Sequence, residues 1–196
     1  MKELKELLRI DPMASKEAIA ERFEELAKML FNEYEIIKRG IHYEFLEIEF
    51  YFFNSNHKDD MTYERTIKEG RWFFHPSGVD ISFDSDVSKG YYGGILVRSI
   101  KKEDGTIING PLKVVYEIFD HIDMDGCDAA AISKRKSHEF RDIKLAKTYR
   151  FNVASNAEYS YYDKDCLSNI AKRKTPPSIP NDSDLISMKK GKSQKH

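Results

Sequence analysis

The residues best suited to acid–base chemistry in this chain are two glutamates, Glu47 and Glu49, followed by Tyr51. They alternate with apolar residues between Tyr43 and Phe53, which predicts a β-strand. One predicted face holds Leu46, Ile48, Phe50 and Phe52, and the other holds Phe45, Glu47, Glu49, Tyr51 and Phe53. A solvated strand face rarely carries so many aromatics beside its acids, so the acidic face is predicted to border a cleft where a carboxylate is partly desolvated. The alternative is an amphipathic strand with two surface glutamates.

Composition and charge are those of a globular protein without a membrane span. Hydrophobic residues make up 40% of the chain and charged residues 33%. The apolar runs are shorter than a bilayer span, and the charged N-terminus lacks the apolar core of a secretory signal. Cys127 and Cys166 are far apart and lack CxxC spacing, which suits a reducing compartment. We therefore expect a cytoplasmic protein with no membrane contact, no metal site and no cofactor.

The chain divides into a body and a tail. Residues 1–170 are predicted to form one domain, and residues 171–196 a basic, disordered, proline-interrupted tail. The tail carries a net charge of +5 and the rest of the chain −6, within a total of −1. An acidic body disfavours nucleic acid, because phosphate contacts need local positive charge. Lys172, Arg173 and Lys174 in the tail are candidates to supply that charge.

Local patterns predict the elements around the acidic strand. They are a short helix over Met1–Ile10, a helix capped by Ser15 and ending at Asn32, a hairpin of Arg71–His75 and Val79–Phe83, a strand over Ile95–Ile100, a helix opened by Pro111, and a last strand over Tyr149–Val153.

Two patterns resemble metal sites. His57, Asp59 and Asp60 lie close together in a polar segment, but without a second ligand cluster a solvated loop is the better interpretation. The segment 120–128 is similar to a calcium loop, yet it lacks oxygen ligands at the required first and last positions, so we interpret it as a turn.

The order of several short motifs is informative beyond any one of them. Glu49-Phe50-Tyr51 ends the acidic strand. It is followed by Pro76-Ser77-Gly78, Ile95-Leu96-Val97-Arg98, Asn109-Gly110-Pro111-Leu112-Lys113 and Arg150-Phe151-Asn152-Val153. Between about Ser15 and Ser160, this order resembles the alkyladenine (3-methyladenine) DNA glycosylase family.

The resemblance implies a fold and a reaction. The fold is a single α+β domain with a curved antiparallel β-sheet and flanking helices. The reaction is excision of an alkylated or deaminated purine flipped out of double-stranded DNA. Glu49 matches the glutamate that activates water, and Arg98 matches an arginine that keeps this carboxylate ionised. Tyr51 matches an aromatic that stacks on the base.

Other aromatics are candidates for the walls of the base pocket. Phe73, Phe74 and His75 are predicted to contribute, and a cationic alkylated base is expected to bind them through cation–π contacts. The histidine of the family pocket falls on Asp60, so His57 would fill that role only with a three-residue shift. Since Val79–Asp86 lacks the tyrosines of the family's DNA-wedging hairpin and carries three aspartates, Tyr91 or Tyr92 is the candidate wedge.

The sequence therefore predicts a DNA glycosylase-like hydrolase, monomeric and nucleoid-associated if it binds DNA. Two alternatives stay open. One is a catalytically silent binding module on the same scaffold, and the other is a hydrolase of free nucleosides, which needs no wedge.

Overall fold

The computed structural model describes residues 3–120, 130–153 and 157–167. These residues form an α+β domain around a curled, nine-stranded antiparallel sheet, which confirms the expected fold class. The helices are α1 (Leu4–Leu7), α2 (Lys16–Glu33) and α3 (Pro111–Ile118). The strands are β1 (Tyr34–Lys38), β2 (Ile41–Phe53), β3 (Trp72–His75), β4 (Gly78–Ser82), β5 (Tyr92–Lys102), β6 (Ile107–Asn109), β7 (Ala131–Lys134), β8 (Leu145–Thr148) and β9 (Ser160–Asp163).

Strand β2 is the centre of the sheet, whose main order is β3-β4-β5-β2-β1-β7. One edge of β2 pairs with β5 along most of its length. The other edge is shared by β1, which pairs near Tyr43, and by β9, which pairs over Glu47–Glu49. Glu49 therefore lies at a position that is paired on both sides.

Two β-bulges interrupt the pairing of β2 with β5. The register skips Leu46 on β2 and Arg98 on β5. Because the bulge on β2 inserts a residue, the predicted alternation of side chains between the two faces is wrong before Glu47. Phe45 packs in the main core, and Leu46 packs in a second cluster with Tyr162 and Leu167. The predicted core positions of Ile48, Phe50 and Phe52 are confirmed.

Helix α2 closes one side of the core, as its sequence predicts. The hydroxyl of Ser15 accepts a hydrogen bond from the amide of Ala18. The helix buries Ile19, Phe23, Leu26 and Leu30. The ring of Phe23 stacks on that of Phe50 with centroids 4.5 Å apart, so the helix packs directly on β2.

The remaining predictions have mixed outcomes. The β3–β4 hairpin and the start of α3 at Pro111 are confirmed. The strand predicted over Tyr149–Val153 is wrong, because β8 ends at Thr148 and the chain then turns. The N-terminal helix is limited to α1. The predicted turn at 120–128 lies almost wholly outside the described residues, and the tail lies entirely outside them. In the described ranges, no helix is long and apolar enough to cross a membrane.

Candidate functional site

Glu49 is fully buried and held by three donors from different parts of the chain. Its Oε1 accepts a hydrogen bond of 2.7 Å from the amide of Phe151. Its Oε2 accepts bonds from the hydroxyl of Tyr51, at 2.9 Å, and from Nη1 of Arg98, at 3.4 Å. The predicted association of Glu49, Tyr51 and Arg98 is therefore present in the folded chain.

The bulge in β5 explains how Arg98 reaches two carboxylates. A bulged residue leaves the regular alternation and its side chain is re-aimed. Nε of Arg98 donates to Oε1 of Glu47 at 3.0 Å, while Nη1 points to Glu49. Glu47 is also buried and accepts a bond from the hydroxyl of Ser99. One guanidinium therefore serves two buried glutamates.

The surroundings of Glu49 change its affinity for a proton. Burial raises the pKa of Glu49, because the ionised form loses hydration. The positive charge of Arg98 and the amide of Phe151 oppose this rise, and the charge of Glu47 adds to it. The net result is a pKa above the ordinary glutamate value, as a general base working near neutral pH requires.

A cavity of about 460 Å³ lies next to this centre. Its lining residues come from β2, β3, β4, β5, the start of α3 and the loops that precede β3 and follow β8. They include Tyr51, Arg98, Tyr63, Arg65, His75 and Phe151. Tyr51, Arg98 and Phe151, which donate to Glu49, therefore all belong to this lining. The glutamate itself lies behind the wall, with no solvent-exposed surface.

A hydrogen-bonded network forms another part of the wall. His75 contacts Oδ1 of Asp80 through Nε2 at 2.9 Å, and Arg65 donates to Oδ2 of the same residue at 2.7 Å. Nη2 of Arg65 is buried and has no hydrogen-bond partner in the described part of the chain. His75, a predicted wall of the base pocket, therefore lies in the lining of the main cavity, where its ring is hydrogen-bonded to Asp80.

His57 lies outside the lining of the main cavity. Its Nδ1 is 2.6 Å from the carbonyl oxygen of Phe52, and its Nε2 is 3.1 Å from the hydroxyl of Tyr159. It lines a smaller cavity of about 200 Å³ together with Asp59 and Arg150. The structure does not bring His57 to the main cavity.

Adjacent aromatics of β3 point to opposite faces of the sheet. Phe73 packs under the guanidinium of Arg65, 3.9 Å from the ring centroid. Phe74 is half-exposed on the opposite face, where it contacts Phe119. Neither ring belongs to the cavity lining. Three successive strand residues cannot all face one pocket, because side chains alternate.

The wedge candidates also differ from each other. Tyr92 is buried and stacks on Phe53 with centroids 5.0 Å apart. Tyr91 is half-buried and pairs through its backbone with Asp86. Because Tyr92 is buried, its side chain cannot contact a large partner. The basic residues Lys172, Arg173 and Lys174 lie outside the described residues.

Several residues of the cavity were not expected from the sequence: Tyr63, Arg65, Asp80 and Phe151. Of these, Phe151 lies in one of the quoted motifs, but no role in a pocket was predicted for it. One signal was available for Asp80, which falls among the apolar residues of a strand in which all five positions are buried. In the described ranges, no group of three or more His, Cys, Asp or Glu residues is placed to hold a metal ion.

Comparison with known proteins gives one distant relative and no family. No family model matches the chain, and no solved structure matches it. An uncharacterized protein of Acanthamoeba polyphaga mimivirus is 27% identical over 134 residues. The alignment covers 54% of this chain and 60% of the viral protein, so the chain spans less than two thirds of that relative.

Proposed function

We propose that this protein hydrolyses the N-glycosidic bond of a purine bound in the main cavity. The observation that carries the proposal is a buried carboxylate, Glu49, that accepts a hydrogen bond from the hydroxyl of Tyr51, a residue of the cavity lining. Cleavage of this bond develops positive charge on the sugar, which a carboxylate stabilises while it activates water. The volume of about 460 Å³ is within the range of small-molecule sites.

Tyr51 connects the glutamate to the cavity. Because Glu49 has no exposed surface, water in the cavity meets the hydroxyl of Tyr51 first. That water gives a proton to the oxygen of Tyr51 as the hydroxyl passes its own proton to Glu49. The resulting hydroxide attacks the anomeric carbon, and the purine leaves with the electron pair of the broken bond and takes a proton from solvent.

Arg98 keeps Glu49 able to accept that proton. Its charge lowers the pKa of Glu49 against the effect of burial. Arg98 also lines the cavity, and its carboxylate partners lie behind it. It is therefore a positioning residue for the general base.

Purines in double-stranded DNA are the first candidate substrate. The order of motifs resembles the alkyladenine glycosylases, and the α+β class with a curled antiparallel sheet is compatible with their fold. Within this proposal Tyr91 is the remaining tyrosine available to replace a flipped base, since Tyr92 is buried.

Free nucleosides are the second candidate, and two exposed acids beside the cavity favour them, although Lys113 also lines the cavity. Asp60 and Glu64 are exposed on the loop that carries Met61 and Tyr63 at the cavity mouth. Carboxylates in this position repel the phosphates of a duplex. A nucleoside carries no phosphate and needs no wedge.

Turnover assays separate these candidates. Duplexes containing hypoxanthine or 3-methyladenine, and free purine nucleosides, are incubated with the full chain, and release of the base is measured. We expect release from one of the two substrate classes, and its loss in Glu49→Gln. Glu44→Gln is the matched control, because Glu44 lies on the same strand, outside the cavity lining, in ion pairs with Lys101 and Arg141. No release from any of these substrates would reject hydrolysis and leave a binding module.

A further inference from the structure

The mouth of the main cavity is bordered by large apolar side chains that remain exposed. Met61, Tyr63, Leu112 and Phe151 are 54%, 41%, 49% and 49% exposed, and all four belong to the cavity lining. Folding normally places such side chains in the core, and exposed apolar clusters mark sites where another molecule binds. The two aromatic members come from different loops, one before β3 and the other after β8.

Tyr63 is held in place from behind. Its ring packs against that of His75, with centroids 4.6 Å apart. Its hydroxyl is 3.3 Å from that of Ser77. His75 is itself bonded to Asp80. The ring of Tyr63 is therefore ordered before a ligand arrives, although much of its surface stays open.

Phe151 is fixed by both its backbone and its ring. Its amide donates to Glu49, and the guanidinium of Arg98 lies 5.0 Å from its ring centroid. The neighbouring Asn152 has φ = 57°, in the left-handed region that non-glycine residues rarely adopt. The turn thus places the ring of Phe151 at the cavity mouth, while the amide of Phe151 bonds to Glu49, the proposed general base.

Arginines already occupy aromatic faces around the site. Arg98 stacks on Phe151, Arg65 on Phe73 and Arg150 on Tyr51, at 5.0, 3.9 and 4.5 Å from the respective ring centroids. A ring that is stacked on a guanidinium offers less attraction to a second cation, because the first cation uses the same quadrupole. This arrangement differs from the open aromatic walls that we expected for a cationic base.

We infer that Tyr63 and Phe151 are specificity-determining residues that stack on a neutral planar ring at the cavity mouth. The proposed hydrolysis supplies the chemical identity of that ring, a purine base. The stacking itself follows from the exposure and anchoring of the two side chains. A cationic ring is the poorer ligand, since it would approach Arg98 across the ring of Phe151.

The test measures binding in the Glu49→Gln background, so that turnover does not consume the probe. Titration calorimetry with the full chain compares adenosine, inosine and guanosine, and then adenosine with its cationic N1-methyl derivative. Tyr63→Ala and Phe151→Ala are expected to weaken binding of the best nucleoside by about tenfold or more, the usual effect of losing one base–aromatic stack. The N1-methyl derivative is expected to bind more weakly than adenosine.

Two variants show that the rings themselves are responsible. Tyr63→Phe keeps the ring and is expected to restore most of the affinity lost in Tyr63→Ala. Tyr116→Ala removes an aromatic that is 74% exposed on α3 and outside the cavity lining, and it is expected to have no effect. Unchanged affinity in both alanine variants, tighter binding of the cationic derivative, or no binding of any nucleoside would overturn the inference. Binding that depends on both rings without turnover by the wild-type chain would instead reject only the hydrolysis.

Discussion

Two buried clusters of arginine and carboxylate contact Tyr51, one through its ring and one through its hydroxyl, and they differ in how many carboxylates the arginine contacts. Arg150 and Asp59 form a bidentate pair, with N–O distances of 2.6 and 3.1 Å. Arg98 instead contacts both Glu47 and Glu49, at 3.0 and 3.4 Å. Among the described residues, Arg150 pairs with one carboxylate, which we call the balanced cluster, and Arg98 pairs with two, which we call the unbalanced cluster.

This difference indicates a structural role for Arg150 and Asp59 and, within the proposed function, a chemical role for Glu49. Burial by itself would lower the pKa of Arg150, but its hydrogen bonds and charge pairing with Asp59 raise that pKa overall, so Arg150 stays charged. Arg150 also donates to the carbonyl oxygen of Phe50, which ties two loops to β2. In the second cluster, burial is the largest cause of the raised pKa of Glu49, and the charge of Glu47 adds to it against the opposing charge of Arg98. We expect the first cluster to stabilise the fold and, within the proposed function, the second to accept a proton.

The largest expected effect is on activity, in the unbalanced cluster. Glu49→Gln should lower turnover of whichever candidate substrate releases its base by about 10²–10⁴-fold, the usual contribution of a general base. The melting temperature should change little, because glutamine resembles the protonated glutamate in shape. Steady-state kinetics and thermal denaturation of the same preparation would check this. A variant that unfolds, or that keeps full activity, would contradict a chemical role.

A comparable change in the balanced cluster should act on stability. Asp59→Asn leaves the buried charge of Arg150 without its partner, which typically costs about 3–5 kcal/mol. Urea denaturation would measure this loss. The control is Asp60→Asn, because Asp60 is the exposed neighbour, and a surface change of this kind stays within about 0.5 kcal/mol. Equal free energies of unfolding for Asp59→Asn and Asp60→Asn would show that the Arg150–Asp59 pair does not stabilise the loops.

Removal of the connecting hydroxyl should have an intermediate effect. Tyr51→Phe keeps the ring under Arg150 but deletes the hydrogen bond to Glu49. If the proton passes through this hydroxyl, turnover should fall by about tenfold or more, within the range of proton-transfer catalysis. Measured KM should change less than kcat, because the ring remains. Full activity in Tyr51→Phe would mean that water reaches Glu49 directly.

The unbalanced cluster should also make stability depend on pH. The pKa of Glu49 is raised in the folded chain, so the unfolded chain releases this proton at a lower pH than the folded chain does. The stabilising contribution is present below the ordinary glutamate pKa and is lost as the pH rises through the raised value. Relative to Glu49→Gln, the wild type should lose up to about 1.4 kcal/mol for each pH unit in that window. Urea denaturation of both proteins at a series of pH values would test this, and parallel curves would contradict it.

The smallest effect is expected where an ion pair is not buried. Lys68 contacts Asp84 at 3.1 Å, and the lysine side chain is 82% exposed. Lys68→Ala should cost no more than about 1 kcal/mol, because water screens such pairs. Urea denaturation in low and high salt would measure it. A loss as large as that of Asp59→Asn would show that burial is not what distinguishes the two clusters.

Much of the fold could be predicted because it depends on local patterns. The cap at Ser15, the helical spacing of Ile19 and Phe23, and Pro111 at a helix start are confirmed. The strand that carries Glu49 and its proximity to Arg98 were also expected. The DNA-related roles of Tyr91, Tyr92 and the tail remain predictions, with the burial of Tyr92 as an obstacle.

The residues that only the tertiary structure identified lie in loops or at irregular strand positions. Tyr63, Phe151 and Asp59 reach their partners through contacts between distant segments, as with the amide of Phe151 and Glu49, 102 positions apart. The need for glycine at position 93 also comes from a contact between distant segments, because a Cβ there would lie 2.2 Å from the carbonyl oxygen of Tyr51.

The sequence by itself determined which residues have the periodicity of strands and helices, and hence that Glu47 and Glu49 would lie on one strand of an α+β domain. Tertiary structure decided that both are buried, that a bulge directs Arg98 to both of them, and that the amide of Phe151 donates a hydrogen bond to Glu49. The physical reason is that periodicity depends on neighbours along the chain, whereas desolvation and the pairing of charges depend on groups that only folding brings together.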